Sequence, residues 1–223
     1  MGVAESKPHM VPPFQRLSEW TLARVEKLLN DYVAKDLDFG LDAHGLSILL
    51  DGDKEWSEAI IKAFGSPNGL INVLSFITGA GLAVMGEPQD KASLCFRAFD
   101  FSNTGSISLD ETTIMFICAL RGFIVITGQG RLPPDDALEA TALEYDKDNY
   151  SKLAKDEFLK WISKKLAVNH AADLTPSRFL RTFGAESPEV EPSVKQADDN
   201  QAPLPPPIAE EPPTATVDGT QES

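Results

Sequence analysis

Residues 100–111 constrain the fold more than any other part of this 223-residue chain. Oxygen-bearing side chains stand there at positions 1, 3, 5, 9 and 12 of a twelve-residue segment, and apolar residues recur at helical spacing on both sides of it. Gly105, at position 6, permits a sharp turn with positive φ. Ile107, at position 8, is expected to pair with its counterpart in a second such loop. The pattern predicts a tight loop between two amphipathic helices.

The chemistry of this loop suits a hard divalent cation. Ca²⁺ prefers six to eight oxygen ligands and binds to twelve-residue loops with this spacing. Glu111 would close the site with both carboxylate oxygens, and Ser108 would act directly or through water. The expected ligands are the side chains of Asp100, Ser102, Thr104, Ser108 and Glu111, together with the carbonyl of Ser106.

The charge of the loop limits the expected affinity. Ser102 and Thr104 stand where carboxylates are common, so only two formal negative charges face the ion. We expect a dissociation constant of about 10⁻⁵ M or weaker for Ca²⁺, with Mg²⁺ as a competitor. A hairpin of the same shape that binds no ion stays open as the alternative.

A second match covers residues 146–157. Asp146, Asp148 and Glu157 place carboxylates at positions 1, 3 and 12, and Tyr150 and Lys152 would contribute backbone carbonyls. The Tyr150 side chain is too long and rigid for the usual ligand role. Serine replaces the turn glycine, which costs about 1 kcal/mol if the residue is left-handed. This weaker site and a metal-free loop are equal alternatives.

Two further loops provide the partners that such units need to bury their apolar faces. Residues 64–75 keep Gly69 and Ile71 at positions 6 and 8 but have lost the chelating carboxylates. Residues 34–45 place Leu41 at position 8, after a helix predicted to begin near Ser18 as its N-cap. We therefore predict an all-α fold of four helix–loop–helix units, paired first with second and third with fourth.

The predicted organisation has four parts. Residues 1–13 form a flexible N-terminus, residues 14–86 the first pair of units, residues 87–185 the second pair, and residues 186–223 a disordered tail. The tail contains eight prolines and nine acidic residues against one basic residue, so it cannot bury enough apolar surface to offset its ordering entropy. A Pro-x-x-Pro ligand at 203–206 is the alternative function for it.

These motifs resemble the calmodulin superfamily of EF-hand proteins, specifically its neuronal-calcium-sensor and calaxin-like branch. The resemblance rests on Phe-Gly-Leu-Asp at 39–42, the run at 69–76, the loop at 99–105 and the closing Phe-Gly at 183–184. It implies calcium binding and a protein partner, either an amphipathic helix or a dynein-docking component of the ciliary or flagellar axoneme. The lost ligands of the second loop keep a calcium-insensitive axonemal adaptor open as the alternative.

Several function classes are excluded or disfavoured. A net charge of −14 without any basic run excludes nucleic-acid binding. No P-loop lysine, nucleophile elbow or H-E-x-x-H motif occurs, so we expect no enzyme. No transmembrane segment is expected. Two cysteines, Cys95 and Cys118, cannot form a disulfide framework, which indicates a reducing, cytoplasmic location. We expect both to be buried packing residues, with a redox-sensitive pair as the alternative.

Two other features predict contacts. Gly2 lies in a match to the N-myristoylation pattern over residues 1–6, and one acyl chain alone would give only weak membrane contact. Residues 114–126 are apolar nearly all round, so part of this helix should meet another helix. That helix would belong to the facing pair, to residues 174–183, or to a target protein.

Overall fold

The computed structural model describes residues 9–132, 142 and 152–167, and helices account for most of this part of the chain. The helices here are α1 (Leu22–Ala34), α2 (Ala43–Leu49), α3 (Lys54–Phe64), α4 (Val73–Ala83), α5 (Pro88–Phe99), α6 (Leu109–Thr127) and α7 (Lys155–Ala167). The strands are β1 (Gly40–Leu41), β2 (Ile71–Asn72), β3 (Ser106–Ile107) and β4 (Leu153–Ala154). The predicted mainly helical class is confirmed.

The short strands join the loops in two antiparallel pairs. Leu41 lies opposite Ile71 in the sheet of β1 and β2, and Ile107 lies opposite Leu153 in the sheet of β3 and β4. All four side chains are buried. The expected pairing of Ile107 with its counterpart is therefore confirmed, and the first two loops are joined in the same way.

Helix α1 begins later than the sequence pattern suggests. Its N-cap is Thr21, whose Oγ1 accepts a hydrogen bond from the Arg24 N–H at 3.3 Å. Ser18, the predicted cap, instead lies in a 3-10 helix over Phe14–Glu19 and donates to the Gln15 carbonyl at 2.6 Å. The cause is the spacing of buried side chains: Phe14, Leu17 and Trp20 recur every three residues, which is the period of a 3-10 helix.

Packing begins before Phe14, where the sequence predicts it to start. Met10 is buried, and the Val11 N–H donates to the carbonyl of Ile126 at 3.0 Å. The carbonyl of Pro13 accepts a hydrogen bond from Nε1 of Trp56 at 2.9 Å. Residues 10–13 are thus held between the end of α6 and helix α3 by hydrogen bonds that no local pattern could reveal.

Helix α4 of the first pair packs on α6 of the second pair in an extensive contact. Every residue of α4 is buried. Gly79 and Gly122 lie at the crossing of the two helices, where a Cβ on Gly79 would stand 2.5 Å from the Cα of Gly122. The apolar surface of residues 114–126 therefore meets the facing pair, which is one of the three predicted options.

Other predictions fall outside the described residues. They concern the first eight residues with Gly2, the helix at 174–183 and the acidic tail. Within the described ranges, no helix combines the length and the hydrophobicity that a membrane span requires.

Candidate metal centre

The loop at residues 100–111 is positioned by the helices on either side of it. Helix α5 ends at Phe99, whose ring is fully buried and anchors the entrance to the loop. Asn103 and Gly105 then take positive φ angles of 50° and 74°, which reverse the chain direction. Glycine adopts this region without steric cost, as predicted for position 6. Strand β3 and the start of α6 complete the loop.

Both carboxylate oxygens of Asp100 face the loop. Oδ1 accepts a hydrogen bond from the Thr104 N–H at 2.9 Å, and Oδ2 accepts one from the Gly105 N–H at 2.7 Å. These bonds fold residues 101–105 around the carboxylate. The side chain at position 1 therefore occupies the place where a ligand for the ion is required.

The hydroxyl groups form a cluster next to this carboxylate. Oγ of Ser102 lies 3.0 Å from Oγ1 of Thr104. Oγ1 of Thr104 donates to the Ser106 carbonyl at 3.2 Å and lies 3.1 Å from Oγ of Ser106. The structure thus brings together the oxygens predicted for positions 3, 5 and 7, and these oxygens satisfy one another through hydrogen bonds.

Glu111 and Ser108 form a capping box at the start of α6. Oε2 of Glu111 accepts a hydrogen bond from the Ser108 N–H at 2.7 Å, and Oγ of Ser108 accepts one from the Glu111 N–H at 3.2 Å. Two backbone donors that the first turn would leave unpaired are satisfied in this way. The predicted closing ligand, Glu111, is therefore engaged by its own helix.

The candidate ligand atoms of this loop suit a hard cation bound with modest affinity. They are all oxygen atoms, and Oγ1 of Thr104 already lies 3.0 Å from Oγ of Ser102 and 3.2 Å from the Ser106 carbonyl oxygen, as neighbouring ligands do around Ca²⁺. Among the described residues, however, no group of three or more His, Cys, Asp or Glu side chains could hold a metal ion. Besides the Asp100 carboxylate, a bound ion would depend on hydroxyl and carbonyl oxygens, and Glu111 would have to leave the Ser108 N–H to bind it with both carboxylate oxygens.

The second candidate loop is described only at its end. Asp146, Asp148 and Tyr150 lie outside the described residues. Lys152 is exposed, and Glu157 is half-buried in the first turn of α7. The backbone N–H of Lys155 donates to the Gly105 carbonyl at 3.1 Å, which connects this second candidate loop to loop 100–111.

The two loops nearest the N-terminus, residues 34–45 and 64–75, use their ligand positions for packing and capping. Phe64, at position 1 of the second loop, is buried and meets Phe14 edge-on, with ring centroids 6.0 Å apart. Asp42, at position 9 of the first loop, accepts a hydrogen bond from the Gly45 N–H at 2.8 Å and caps α2. These contacts agree with the predicted loss of ligands in these loops.

Both cysteines are buried and free, as predicted from the sequence. Burial raises the pKa of the Cys95 thiol to about 12, and burial also raises the pKa of Cys118. Cys95 lines a small apolar cavity with Met115 and Phe158, whereas Sγ of Cys118 accepts a hydrogen bond from Nδ2 of Asn72 at 3.3 Å. The two thiols therefore face different neighbours, and raised pKa values disfavour the reactive thiolate.

Sequence reasoning missed the role of Asn72. Its Oδ1 accepts a hydrogen bond from the Ser75 N–H at 3.1 Å, so the same side chain caps α4 and contacts α6. Asparagine before an apolar helix is an N-cap signal, but the contact with Cys118 spans 46 residues of sequence. Only the packed structure reveals it.

The described fold belongs to a general class, that of helix–loop–helix units joined in pairs by short antiparallel strands. One of these units carries a loop lined with oxygen atoms. The chain matches no model of a known protein family. Its alignment with human calaxin extends over 138 residues with 28% identity, and the match covers 53% of this chain and 63% of that protein. The chain thus spans less than two thirds of this relative's length. The similarity loosely supports the calaxin-like resemblance.

Proposed function

We propose that this chain is a calcium-binding EF-hand protein with four hands in two pairs, acting as a sensor or regulatory subunit on a protein partner. The observation that carries the proposal is the group of oxygens from Asp100, Ser102, Thr104 and Ser106 inside one twelve-residue loop. The paired strands add support because each loop of a pair braces the other. Loop 146–157 would be the weaker site.

The partner is proposed from similarity. Both the sequence motifs and the match to human calaxin favour a partner in a cilium or flagellum, such as a dynein-docking component of the axoneme. The contact would be made with an amphipathic segment, the mode of recognition that uses a groove between helices. Neither nucleic-acid binding nor catalysis is part of this proposal, and membrane contact would require acylation of Gly2.

A calcium-insensitive structural adaptor is the second candidate, and the capping box favours it. Because Glu111 accepts its hydrogen bond from Ser108, and Thr104 donates to Ser106, the loop holds its shape with hydrogen bonds alone. A loop stabilised in this way loses those bonds when an ion binds, which lowers affinity. With only two carboxylates among its ligands, the loop also attracts Ca²⁺ less strongly than loops with more carboxylates do.

A calorimetric Ca²⁺ titration of the full chain separates the two candidates. It should be run with and without Mg²⁺, on the wild type and on Glu111→Gln, with Trp161 fluorescence recorded in parallel. Trp161 is half-buried and stacks on Phe116 at 6.0 Å between ring centroids, so it reports on the packing of α6 and α7. Asp110→Asn is the matched control because Asp110 is exposed in the same helical turn.

The sensor proposal expects binding at about 10⁻⁵ M, a fluorescence change, loss of the stronger site in Glu111→Gln and no loss in Asp110→Asn. Absence of heat and of a spectral change up to millimolar Ca²⁺ would leave the adaptor. A fluorescently tagged chain expressed in ciliated cells tests the location separately, because the adaptor would also localise to the axoneme.

A further inference from the structure

The crossing of α4 and α6 is a contact between two backbones. A Cβ on Gly122 would lie 2.8 Å from the carbonyl carbon of Ser75 and 3.0 Å from the Cα of Gly79. Carbon atoms in ordinary contact are 3.5–4.0 Å apart, so neither glycine leaves room for a methyl group. No side-chain rotation could relieve the clash, since the nearest atoms belong to the backbone.

Three further contacts link the two pairs of helices. The Asn72 side chain at the end of β2 donates to Cys118 in the middle of α6. The Val11 N–H, before the first helix, donates to Ile126 in the last turn of α6. Arg97 of α5 contacts Glu26 at 3.4 Å, and it also contacts Asn30 of α1.

Helix α6 is thus connected to the first pair along most of its length, while its first turn carries Glu111 of the candidate ion site. A helix held at its middle and at its last turn cannot swing independently of α4. Packed interfaces of this kind hold discrete arrangements and transmit displacement because they do not deform smoothly.

We propose that the contact between α4 and α6 couples the two pairs into one cooperative unit. A mutation that lowers the stability of the second pair should then lower the unfolding midpoint of the first pair by the same amount. The proposal goes beyond calcium binding and holds without any ion. Its consequence for calcium, that binding in loop 100–111 is transmitted to the first pair, rests on the proposed function.

Urea unfolding of the full-length Trp161→Phe variant tests the coupling. Its remaining tryptophans, Trp20 and Trp56, lie in the first pair with ring centroids 5.8 Å apart, so fluorescence reports on that pair alone. Far-UV circular dichroism reports on all helices. We expect the two signals to give the same midpoint. Different midpoints would overturn the proposal.

Adding Phe158→Leu removes packing contacts that lie within the second pair. Phe158 is fully buried in α7 and lies 5.7 Å from Phe96 of α5 between ring centroids. Coupled pairs require the tryptophan midpoint to fall as far as the dichroism midpoint. An unchanged tryptophan midpoint would show that the pairs unfold independently, and the proposal would be wrong.

Gly122→Ala, made in the same background, should separate the two midpoints because it forces α6 away from α4. The control is Gly45→Ala in α2, where the nearest atom to the new methyl group is a side-chain carbon of Leu41 at 3.2 Å. This control should keep the midpoints together. Should Gly122→Ala fail to fold, the Phe158→Leu measurement decides alone.

Repeating the Trp161→Phe experiment with Ca²⁺ separates this inference from the proposed function. If calorimetry shows binding and both midpoints rise equally, both stand. If only the dichroism midpoint rises, the coupling fails while calcium binding survives. If calorimetry shows no binding, the sensor fails, and the ion-free measurements still decide whether the pairs are coupled.

Discussion

The capping box gives a prediction with two parts, one without calcium and one with it. Glu111→Ala removes the carboxylate that accepts a hydrogen bond from Ser108 at a half-buried helix start. Loss of such a cap costs about 1 kcal/mol, within a range of roughly 0.5–2 kcal/mol. Asp110→Ala removes an exposed charge of the same turn, for which the helix-dipole loss of about 0.3–1 kcal/mol is offset by the higher helix propensity of alanine.

Without calcium, Glu111→Ala should therefore be about 1 kcal/mol less stable than Asp110→Ala, equivalent to a difference in Tm of roughly 2–4 °C for a body of this size. With calcium the difference should grow. A site with a dissociation constant of about 10⁻⁵ M contributes about 2.7 kcal/mol at about 1 mM Ca²⁺, and only Glu111→Ala loses it.

Thermal unfolding of the two variants and the wild type, with a chelator and with calcium, measures both parts. Equal stability of the two variants in chelator would refute the capping argument. A calcium-dependent rise in Tm of the same size in Glu111→Ala and in the wild type would refute the role of Glu111 as a ligand. The two results are independent of one another.

Three further predictions concern other parts of the molecule. Burial raises the pKa of the Cys95 thiol to about 12 from an ordinary value of 9.0. The neutral buried thiol therefore contributes its full stability below pH 9, and this contribution is lost as the pH rises toward 12. Over that range the free energy of unfolding in urea should fall with pH faster for the wild type than for Cys95→Ala, by up to about 1.4 kcal/mol per pH unit. Thr21→Ala should cost about 1 kcal/mol in the same assay because it removes the cap of α1, and Ser18→Ala should cost less. Asn72→Ala should also cost about 1 kcal/mol, while Asn72→Asp keeps the cap of α4 and should cost less.

The features that could be predicted from sequence are those that depend on a local pattern. Gly105 and Ile107 occupy fixed positions in a twelve-residue loop, and each position has one conformational requirement, a positive φ angle or a strand pairing. The structure shows both. The convergence of Ser102, Thr104 and Ser106 follows from the same spacing, because a loop of this length brings alternate residues to one side.

The features that could not be predicted depend on residues far apart in sequence. The bond from Val11 to Ile126 joins positions that no local pattern relates, which is why packing starts earlier than expected. The predicted start of α1 at Ser18 is wrong for a different reason. Ser18 and Thr21 are both good caps, and the choice between them is made by the buried residues Phe14 and Leu17, whose period of three favours a 3-10 turn.

The capping box also illustrates what a sequence pattern leaves open. Ser108 and Glu111 fit both an ion-binding loop and a helix start. Both uses require a side-chain oxygen at residue 108 and a carboxylate three residues later, at residue 111. The structure shows the second use. The choice between them in solution is a competition for one carboxylate.

The complete burial of α4 has a consequence for any attempt to divide the molecule. A helix surrounded on all sides by protein has no face suited to water, and α4 makes most of its contacts with α6 and α5. A fragment ending near residue 86, where the chain passes from one pair to the next, would expose to solvent the apolar surface of α4 that α5 and α6 cover. Such a fragment is expected to associate with itself or with any chain that offers a helix resembling α6. The two halves of the molecule, when expressed separately and mixed, should therefore bind to one another.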